Sequence, residues 1–334
     1  MRAPEFWWRK AGAAAAALGP VAALYGAVAA HRLRQPGARV GVPVVCIGDP
    51  TLGGAGKTPT AIATARLLAA AGERPVFLTR GYGGREAGPL VVNGRVHRAK
   101  DVGDEPLLLA RAQATIVARD RLAGAHLARA SGASVIVMDD GFQNPSLAKD
   151  CAILVVDARR GVGNGRVFPS GPLRAPLEAQ LDRAHAVMAI GSGAAAAPLL
   201  EAAARRGLRI FRARLEPAEA ALAAMRARPA LAFAGIGSPE KFFATLAAAG
   251  VAVRIRHSFA DHHAYTAADA ARLLREADTH GLALVTTEKD LVRLDGEGSL
   301  RELRSRAFAL PVQLALENEK DFLAFLRERI RTCA

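Results

Sequence analysis

An α/β fold organised on a mostly parallel sheet, joined to a second, smaller α/β domain, is predicted for this chain of 334 residues. Three observations predict it. Residues 42–47 are an apolar, partly β-branched run, the pattern of a buried strand, and residues 59–68 follow the pattern of a helix with Pro59 in its first turn, where a missing N–H costs nothing. Between them lies Thr51-Leu52-Gly53-Gly54-Ala55-Gly56-Lys57-Thr58, a glycine-rich turn in a strand–helix frame. From residue 75 onward short apolar strands alternate with helices, and the alternation starts afresh at Pro229.

The turn carries chemistry. Its glycines let backbone N–H groups close around phosphate oxygens, Lys57 brings a point charge to terminal phosphates, and the Thr58 hydroxyl is an oxygen ligand for Mg²⁺. All eight residues from Thr51 to Thr58 are candidate nucleotide-binding positions, and the sheet is expected to be of the P-loop NTPase type. The usual pattern opens on Gly where this chain has Thr51. An ordinary turn with incidental glycines is the alternative, and Gly-x-Gly-Lys-Thr in this frame weighs against it.

The length allows two cores. Lys+Arg 45 against Asp+Glu 31 gives a net charge of +14. Such a surplus suits nucleic acid, an anionic membrane or a phosphorylated substrate. The cations are mostly Arg, spread along the chain without a dense run of basic and aromatic residues, so nucleic acid is not an expected partner. Cys46, Cys151 and Cys333 have no metal-ligand spacing and are expected to be free thiols of a reducing compartment, the first two buried.

Residues 1–34 contain Trp7, Trp8 and Tyr25, basic residues at both ends, and between them roughly the ~20 mostly apolar residues that a bilayer span needs. A transmembrane helix, a helix lying in the interface, a cleaved signal peptide ending near Ala27-Val28-Ala29, and a helix packed on the protein's own core all fit the pattern. Export would part the phosphate loop from its nucleotide. The run is Ala-rich and Gly19-Pro20 interrupts it. Attachment to an anionic membrane surface is the favoured expectation.

Further candidates stand at the ends of predicted strands. Residues 75–79 lead into Arg80-Gly81-Tyr82-Gly83-Gly84-Arg85, where open α/β sheets place ligand contacts. Asn93-Gly94 after residues 90–92 is a hairpin signal. Asp104-Glu105 opens a helix over 106–113, where carboxylates often only complement the dipole. The apolar run 133–138 ends in Asp139-Asp140-Gly141-Phe142-Gln143-Asn144; two adjacent carboxylates beyond a phosphate loop want a cation, and Mg²⁺ fits. Arg174, in a long loop after the strand 151–156, is a candidate phosphate contact, and residues 208–215 form a connector. In the second unit Asp261-His262-His263 lacks further ligands at zinc spacing; a His beside an Asp instead orients a carboxylate at a cleft, or the pair caps the helix after Thr266.

These pieces in this order resemble the tetraacyldisaccharide 4'-kinase (lipid A 4'-kinase) family. The matches are the N-terminal apolar helix, residues 51–59, Arg80-Gly81-Tyr82-Gly83, Gly103-Asp104-Glu105-Pro106, Asp139-Asp140-Gly141-Phe142-Gln143, Gly171-Pro172-Leu173-Arg174, Gly235-Ile236-Gly237, Asp261-His262-His263 and Thr286-Thr287-Glu288-Lys289-Asp290. Thr at the first loop position is usual for that family. The resemblance implies ATP and Mg²⁺ as cofactors and an acylated glucosamine disaccharide lipid as acceptor, at the cytoplasmic face of the inner membrane. It implies Asp104 as general base with a histidine of the 261–263 motif coupled to it, His262 being the choice, and Mg²⁺ coordination by Thr58 with Asp139 or Asp140. Arg80, Tyr82, Glu105, Gln143 and Arg174 are the expected substrate contacts. The chain departs from the family pattern at Asn144 (usually His), Ala175 (usually Glu) and Asp49 (commonly Asn). The expected division is a membrane-associated helix over 1–34, a P-loop kinase domain over 35–215 and a smaller α/β domain over 216–334. The expected activity is transfer of the γ-phosphate of ATP to the lipid's 4'-hydroxyl. A membrane-associated P-loop ATPase switch is the alternative, against which Leu52 stands where that group's signature Lys would be.

Overall fold

The computed structural model describes residues 4–331. Its strands are β1 (Val44–Gly48), β2 (Pro75–Thr79), β3 (Leu90–Val91), β4 (Thr115–Val117), β5 (Val135–Asp139), β6 (Cys151–Asp157), β7 (Ala186–Ile190), β8 (Arg209–Pro217), β9 (Ala230–Ala234), β10 (Val253–Ser258), β11 (Ala283–Thr287), β12 (Ala307–Leu310) and β13 (Val312–Leu316). They form two sheets. The larger has nine strands in the order β13-β8-β7-β6-β1-β5-β2-β4-β3, and the smaller four in the order β10-β9-β11-β12. The larger is parallel except at its edges, where β13 runs antiparallel to β8 and β3 antiparallel to β4. The smaller is parallel throughout.

Helices cover both faces of the larger sheet, which is why every residue of β1, β2, β5 and β7 is buried and why these strands read as continuous apolar runs. One face packs Cys46, Ile136, Met138 and Leu154; the other packs Ile47, Val137, Ile153 and Phe77 against the helix Lys57–Ala70. Cys46 and Cys151 are buried free thiols on opposite faces; Cys333 lies outside the described residues.

Several expectations change. The segment expected as a connector is β8, a full strand of the larger sheet. β13 pairs with it, and the terminal helix Glu319–Arg331 buries Phe322, Phe325 and Leu326 on the larger sheet's core. These two elements fall within the stretch 216–334 that the sequence assigned to the smaller domain, yet they complete the larger one. The smaller sheet's own strands lie between β8 and β13. The hairpin signalled by Asn93-Gly94 does not form, because β3 pairs with β4, beyond the helix Asp104–Leu109, while Asn93 closes a local turn by accepting from Val96 and His97 N–H groups.

At the N-terminus the helices Ala13–Ala17 and Gly19–Arg34 meet at Leu18, with Pro20 in the second helix's first turn. Among the described residues no helix is long and apolar enough to cross a membrane. One face of Gly19–Arg34 packs on the protein through Ala22, Gly26, Ala30 and Leu33, with Gly26 set against Pro176 and Val167. The opposite face leaves Val21, Leu24, Tyr25 and Val28 exposed.

Candidate active site

A cleft of about 1780 Å³ opens between the two sheets. The carboxyl ends of the parallel strands point into it, as in other open α/β folds. The phosphate loop follows β1 at the point where the sheet's neighbours on either side, β6 and β5, diverge in chain order. Gly56 there has φ +94°, a left-handed conformation that favours glycine and lets the loop turn into the helix Lys57–Ala70.

The loop lysine is held. Lys57 Nζ lies 2.8 Å from Asp49 Oδ2 and 3.8 Å from Asp140 Oδ2. Arg174 completes the group: its Nε is 3.0 Å from Asp49 Oδ1 and donates to the Thr51 carbonyl at 3.1 Å, and its Nη2 is 3.5 Å from Asp140 Oδ2. Two cations and two carboxylates thus neutralise one another at the loop's base. Burial raises the Asp49 carboxyl against the opposing pull of Lys57 and Arg174. Burial acts the same way on Asp140, but there Lys57 and Arg174 prevail and hold it below the ordinary range.

Asp139 ends β5 and Asp140 follows in the left-handed region at φ +54°, a conformation that non-glycine residues adopt where the surroundings demand it. The turn aims the Asp140 carboxylate at Lys57, while Asp139 Oδ2 accepts from Thr58 Oγ1 at 3.1 Å. Asp139 Oδ1 and Asp140 Oδ1 are buried without a hydrogen-bond partner among the described residues. Burial, with Glu105 and Asp140 nearby, pushes the Asp139 carboxyl up to about 7. Orphaned hard oxygens beside a threonine hydroxyl are a donor set that fits Mg²⁺.

Asp104 opens the helix Asp104–Leu109 across the cleft. Gly103 before it has φ +91°, and a Cβ there would come within 2.4 Å of the Tyr82 carbonyl, so the Gly-Asp-Glu-Pro turn depends on that glycine. Asp104 is 4% exposed. Its Oδ2 accepts from Arg293 Nε at 2.8 Å and from Arg293 Nη2, and its Oδ1 lies 3.5 Å from His262 Nδ1. Burial opposes ionisation, but His262, Arg293 and Lys289 together hold the Asp104 carboxyl well below its ordinary range. The same Asp104 carboxylate raises His262. His262 is itself at φ +55°, and its ring meets Tyr82 edge-on at 5.1 Å.

The two histidines that stand together in the sequence part company. His262 turns to Asp104. His263 Nε2 contacts Asp269 Oδ2 at 3.1 Å, and that carboxylate accepts from Thr266 N in the capping box of the helix Ala267–His280. His262 thus lies at the cleft carboxylate, and His263 alone joins the capping group of the helix after Thr266.

Of the expected substrate contacts, Arg80 and Tyr82 are exposed and line the cleft. Glu105 pairs with Lys289 Nζ at 2.6 Å. Gln143 donates to the Asp49 carbonyl at 3.1 Å and to Gln180 Oε1 at 3.2 Å, and Arg174 serves the loop as described. The departures from the family pattern take structural places. Asn144 Oδ1 accepts from Ser146 N and Oγ, and Ala175 is fully buried, where its carbonyl accepts from Gln180 Nε2. Sequence reasoning missed Arg293. Its spacing from Lys289 on the helix Glu288–Arg293 would have placed both cations on one face, the signal that was there to find.

Residues 14–331 match the family described as Tetraacyldisaccharide-1-P 4'-kinase, LpxK. A tetraacyldisaccharide 4'-kinase of Methylobacterium sp. (strain 4-46) is 57% identical over 331 residues, covering 99% of this chain and 97% of that protein. One of Rhodopseudomonas palustris (strain BisB18) is 54% identical over 330 residues, covering 99% and 96%. The crystal structure of LpxK from Aquifex aeolicus in complex with ATP superposes with a TM-score of 0.73 at 25% identity, covering 95% of this chain and 99% of that one. The chain belongs to the tetraacyldisaccharide 4'-kinase family.

Proposed function

We propose that the protein transfers the γ-phosphate of ATP to the 4'-hydroxyl of a tetraacyldisaccharide 1-phosphate, giving the 1,4'-bisphosphate, a step of lipid A biosynthesis. The reading rests above all on one observation: Lys57 and Thr58 line the same cleft as Glu105 and His262, the two residues that flank Asp104 Oδ1, so that a nucleotide's terminal phosphate and a hydroxyl acceptor would share one cleft. Phosphoryl transfer asks for positioning and charge neutralisation more than covalent chemistry.

In this mechanism the backbone of residues 51–58 cradles the phosphates, and Lys57 and Arg174 leave Asp49 and Asp140 to meet the negative charge that gathers on the equatorial oxygens. Thr58, Asp139 and Asp140 would hold Mg²⁺, which would supply charge neutralisation at the transferring phosphate. Asp104 Oδ1, the oxygen not engaged by Arg293, accepts the hydroxyl proton. His262 sets that oxygen's orientation. Arg80 and Tyr82 face the acceptor's sugar.

Tyr25, Val28 and Arg32 of the N-terminal helix line the same cleft's mouth. The exposed apolar row Val21, Leu24, Tyr25 and Val28 beside basic His31, Arg32 and Arg34 suits a helix lying in an anionic membrane surface. The enzyme would then work at the cytoplasmic face of the inner membrane, taking its lipid from that surface.

Incubation with [γ-³²P]ATP, Mg²⁺ and the acylated disaccharide 1-phosphate, followed by thin-layer separation, tests the reading. Label in the lipid is expected. Release of free phosphate alone would favour an ATPase switch.

A further inference from the structure

The helix Glu288–Arg293, which follows β11 of the smaller sheet, lies across the helix Asp104–Leu109 of the larger unit, with Val292 packed against Val102, Leu107 and Leu108. Two cations one turn apart on the first helix, Lys289 and Arg293, meet two successive carboxylates on the second, Glu105 and Asp104. Arg293 is the more deeply engaged. Its side chain is 6% exposed. On its own side it is fixed by Asp290 Oδ1 at 3.1 Å and by the Gly235 carbonyl at 2.5 Å. Asp290 is fixed in turn by Tyr265 Oη, Thr287 Oγ1 and the Gly235 N–H. Across the boundary, the planar guanidinium donates twice to one oxygen of Asp104; the other oxygen accepts from the Glu105 N–H at 3.0 Å and lies 3.5 Å from His262 Nδ1. Arg293 Nη2 also lies 3.3 Å from His262 Nδ1.

We propose that Arg293 is the positioning residue of Asp104: it locks Oδ2 from the smaller unit, so that Oδ1 alone is presented to the acceptor, and it makes a competent base conditional on the smaller unit being seated on the larger. The proposal rests on the reading of Asp104 as the base. The chemistry of the guanidinium decides for Arg over Lys at this place. A fixed planar fork sets the carboxylate's rotation, whereas an ammonium would neutralise its charge without orienting it.

The charge environment makes the role readable by pH. Asp104 is faced by Arg293, Lys289 and His262, and His262 by Asp104, Asp261, Arg293 and the Tyr82 ring; Arg293 is faced by Asp104, Asp290 and, through Asp290, Tyr265. Arg293 favours ionised Asp104 and opposes protonation of His262. Loss of its charge therefore raises the proton affinity of both partners, and the acid limb of the turnover profile moves to higher pH.

The test is labelled-lipid transfer by the full chain across pH, for wild type, Arg293→Gln, Arg293→Lys, Asp104→Asn and the double variant. Arg293→Gln is expected to lower kcat on the order of 100-fold. Its KM for ATP should stay within about 3-fold, and its acid limb should move up. Arg293→Lys should restore the limb's position but only part of kcat. In the Asp104→Asn background the second change should cost nothing more. A superimposable pH profile with kcat unchanged, or an equal further loss in the Asp104→Asn background, would overturn the proposal. Should Arg293→Gln fail to fold, Arg293→Lys carries the test, and wild-type kcat in it overturns the orienting role. If wild type itself labels no lipid, the functional reading fails; if wild type labels lipid and Asp104→Asn does not, while Arg293→Gln does, only this inference fails.

Discussion

Thr58 Oγ1 donates to Asp139 Oδ2 at 3.1 Å, joining the first turn of the loop helix to the end of a strand 81 residues further on. The hydroxyl and the carboxylate face the same pocket of orphaned oxygens. Because burial pushes Asp139 up to about 7, the carboxyl is largely protonated below neutrality, and a cation must displace that proton. Mg²⁺ affinity is therefore expected to rise between about pH 6 and pH 8, with proton release on binding. Asp139→Asn should flatten this dependence and weaken Mg²⁺-dependent ATP binding about 10- to 100-fold. Calorimetric titration in buffers of different ionisation enthalpy reads both effects.

If Lys57 serves the transferring phosphate as proposed, Lys57→Met should lower kcat on the order of 100- to 1000-fold. Buried Asp49 then keeps Arg174 as its only cation of the pair, so the folded state should lose about 1–3 kcal/mol as well. Denaturant unfolding separates the two losses. A variant with wild-type turnover would remove Lys57 from the site.

Asp104→Asn should abolish most lipid labelling, on the order of 100- to 10,000-fold, and leave ATP affinity near wild type. It also leaves buried Arg293 with Asp290 as its remaining carboxylate, at a cost of about 1–3 kcal/mol. Asp104 has its carboxyl lowered in the folded state, so its contribution to stability is present above the ordinary aspartate pKa of about 4 and fades as the pH falls below that. The stability gap between wild type and Asp104→Asn should thus be full at neutral pH and narrow in acid. A gap that is constant from pH 7 to pH 3 would contradict the ionised pairing.

Leu24 and Val28 are 71% and 53% exposed on the outer face of the N-terminal helix. The double change to Ser touches little of the core, so the melting temperature should hold. Each side chain offers about 1 kcal/mol of apolar transfer to a membrane, so co-sedimentation with vesicles containing anionic lipid should weaken on the order of 10- to 30-fold. Unchanged sedimentation would place attachment elsewhere.

Gly103→Ala should destabilise the protein by more than about 1 kcal/mol and lower turnover further, because the added Cβ would meet the Tyr82 carbonyl in a backbone conformation that favours glycine. Gly83→Ala is a control for backbone conformation alone: its φ is also positive, at +80°, but no atom stands within 4 Å of the new Cβ. If Gly103→Ala loses no more stability than Gly83→Ala, the close approach is not what selects glycine.

The sequence alone settled those features that are local. Continuous apolar runs marked the strands of a sheet covered on both faces, and glycine spacing between strand and helix marked the loop, because these depend on neighbours a few residues apart. It also carried the family, since the motifs keep their order along the chain. Tertiary structure decided the rest. β13 and the terminal helix return to the larger sheet because β8 leaves an open edge and Phe211 an uncovered apolar face, neither of which is visible in the segment 312–331 itself. His262 and His263 divide between Asp104 and a helix cap because the backbone at residue 262 turns left-handed. Arg293, 189 residues from Asp104 in sequence, reaches it only because their two helices are packed by their apolar faces; the spacing of Lys289 and Arg293 marks a shared cationic face, but not which carboxylates that face meets.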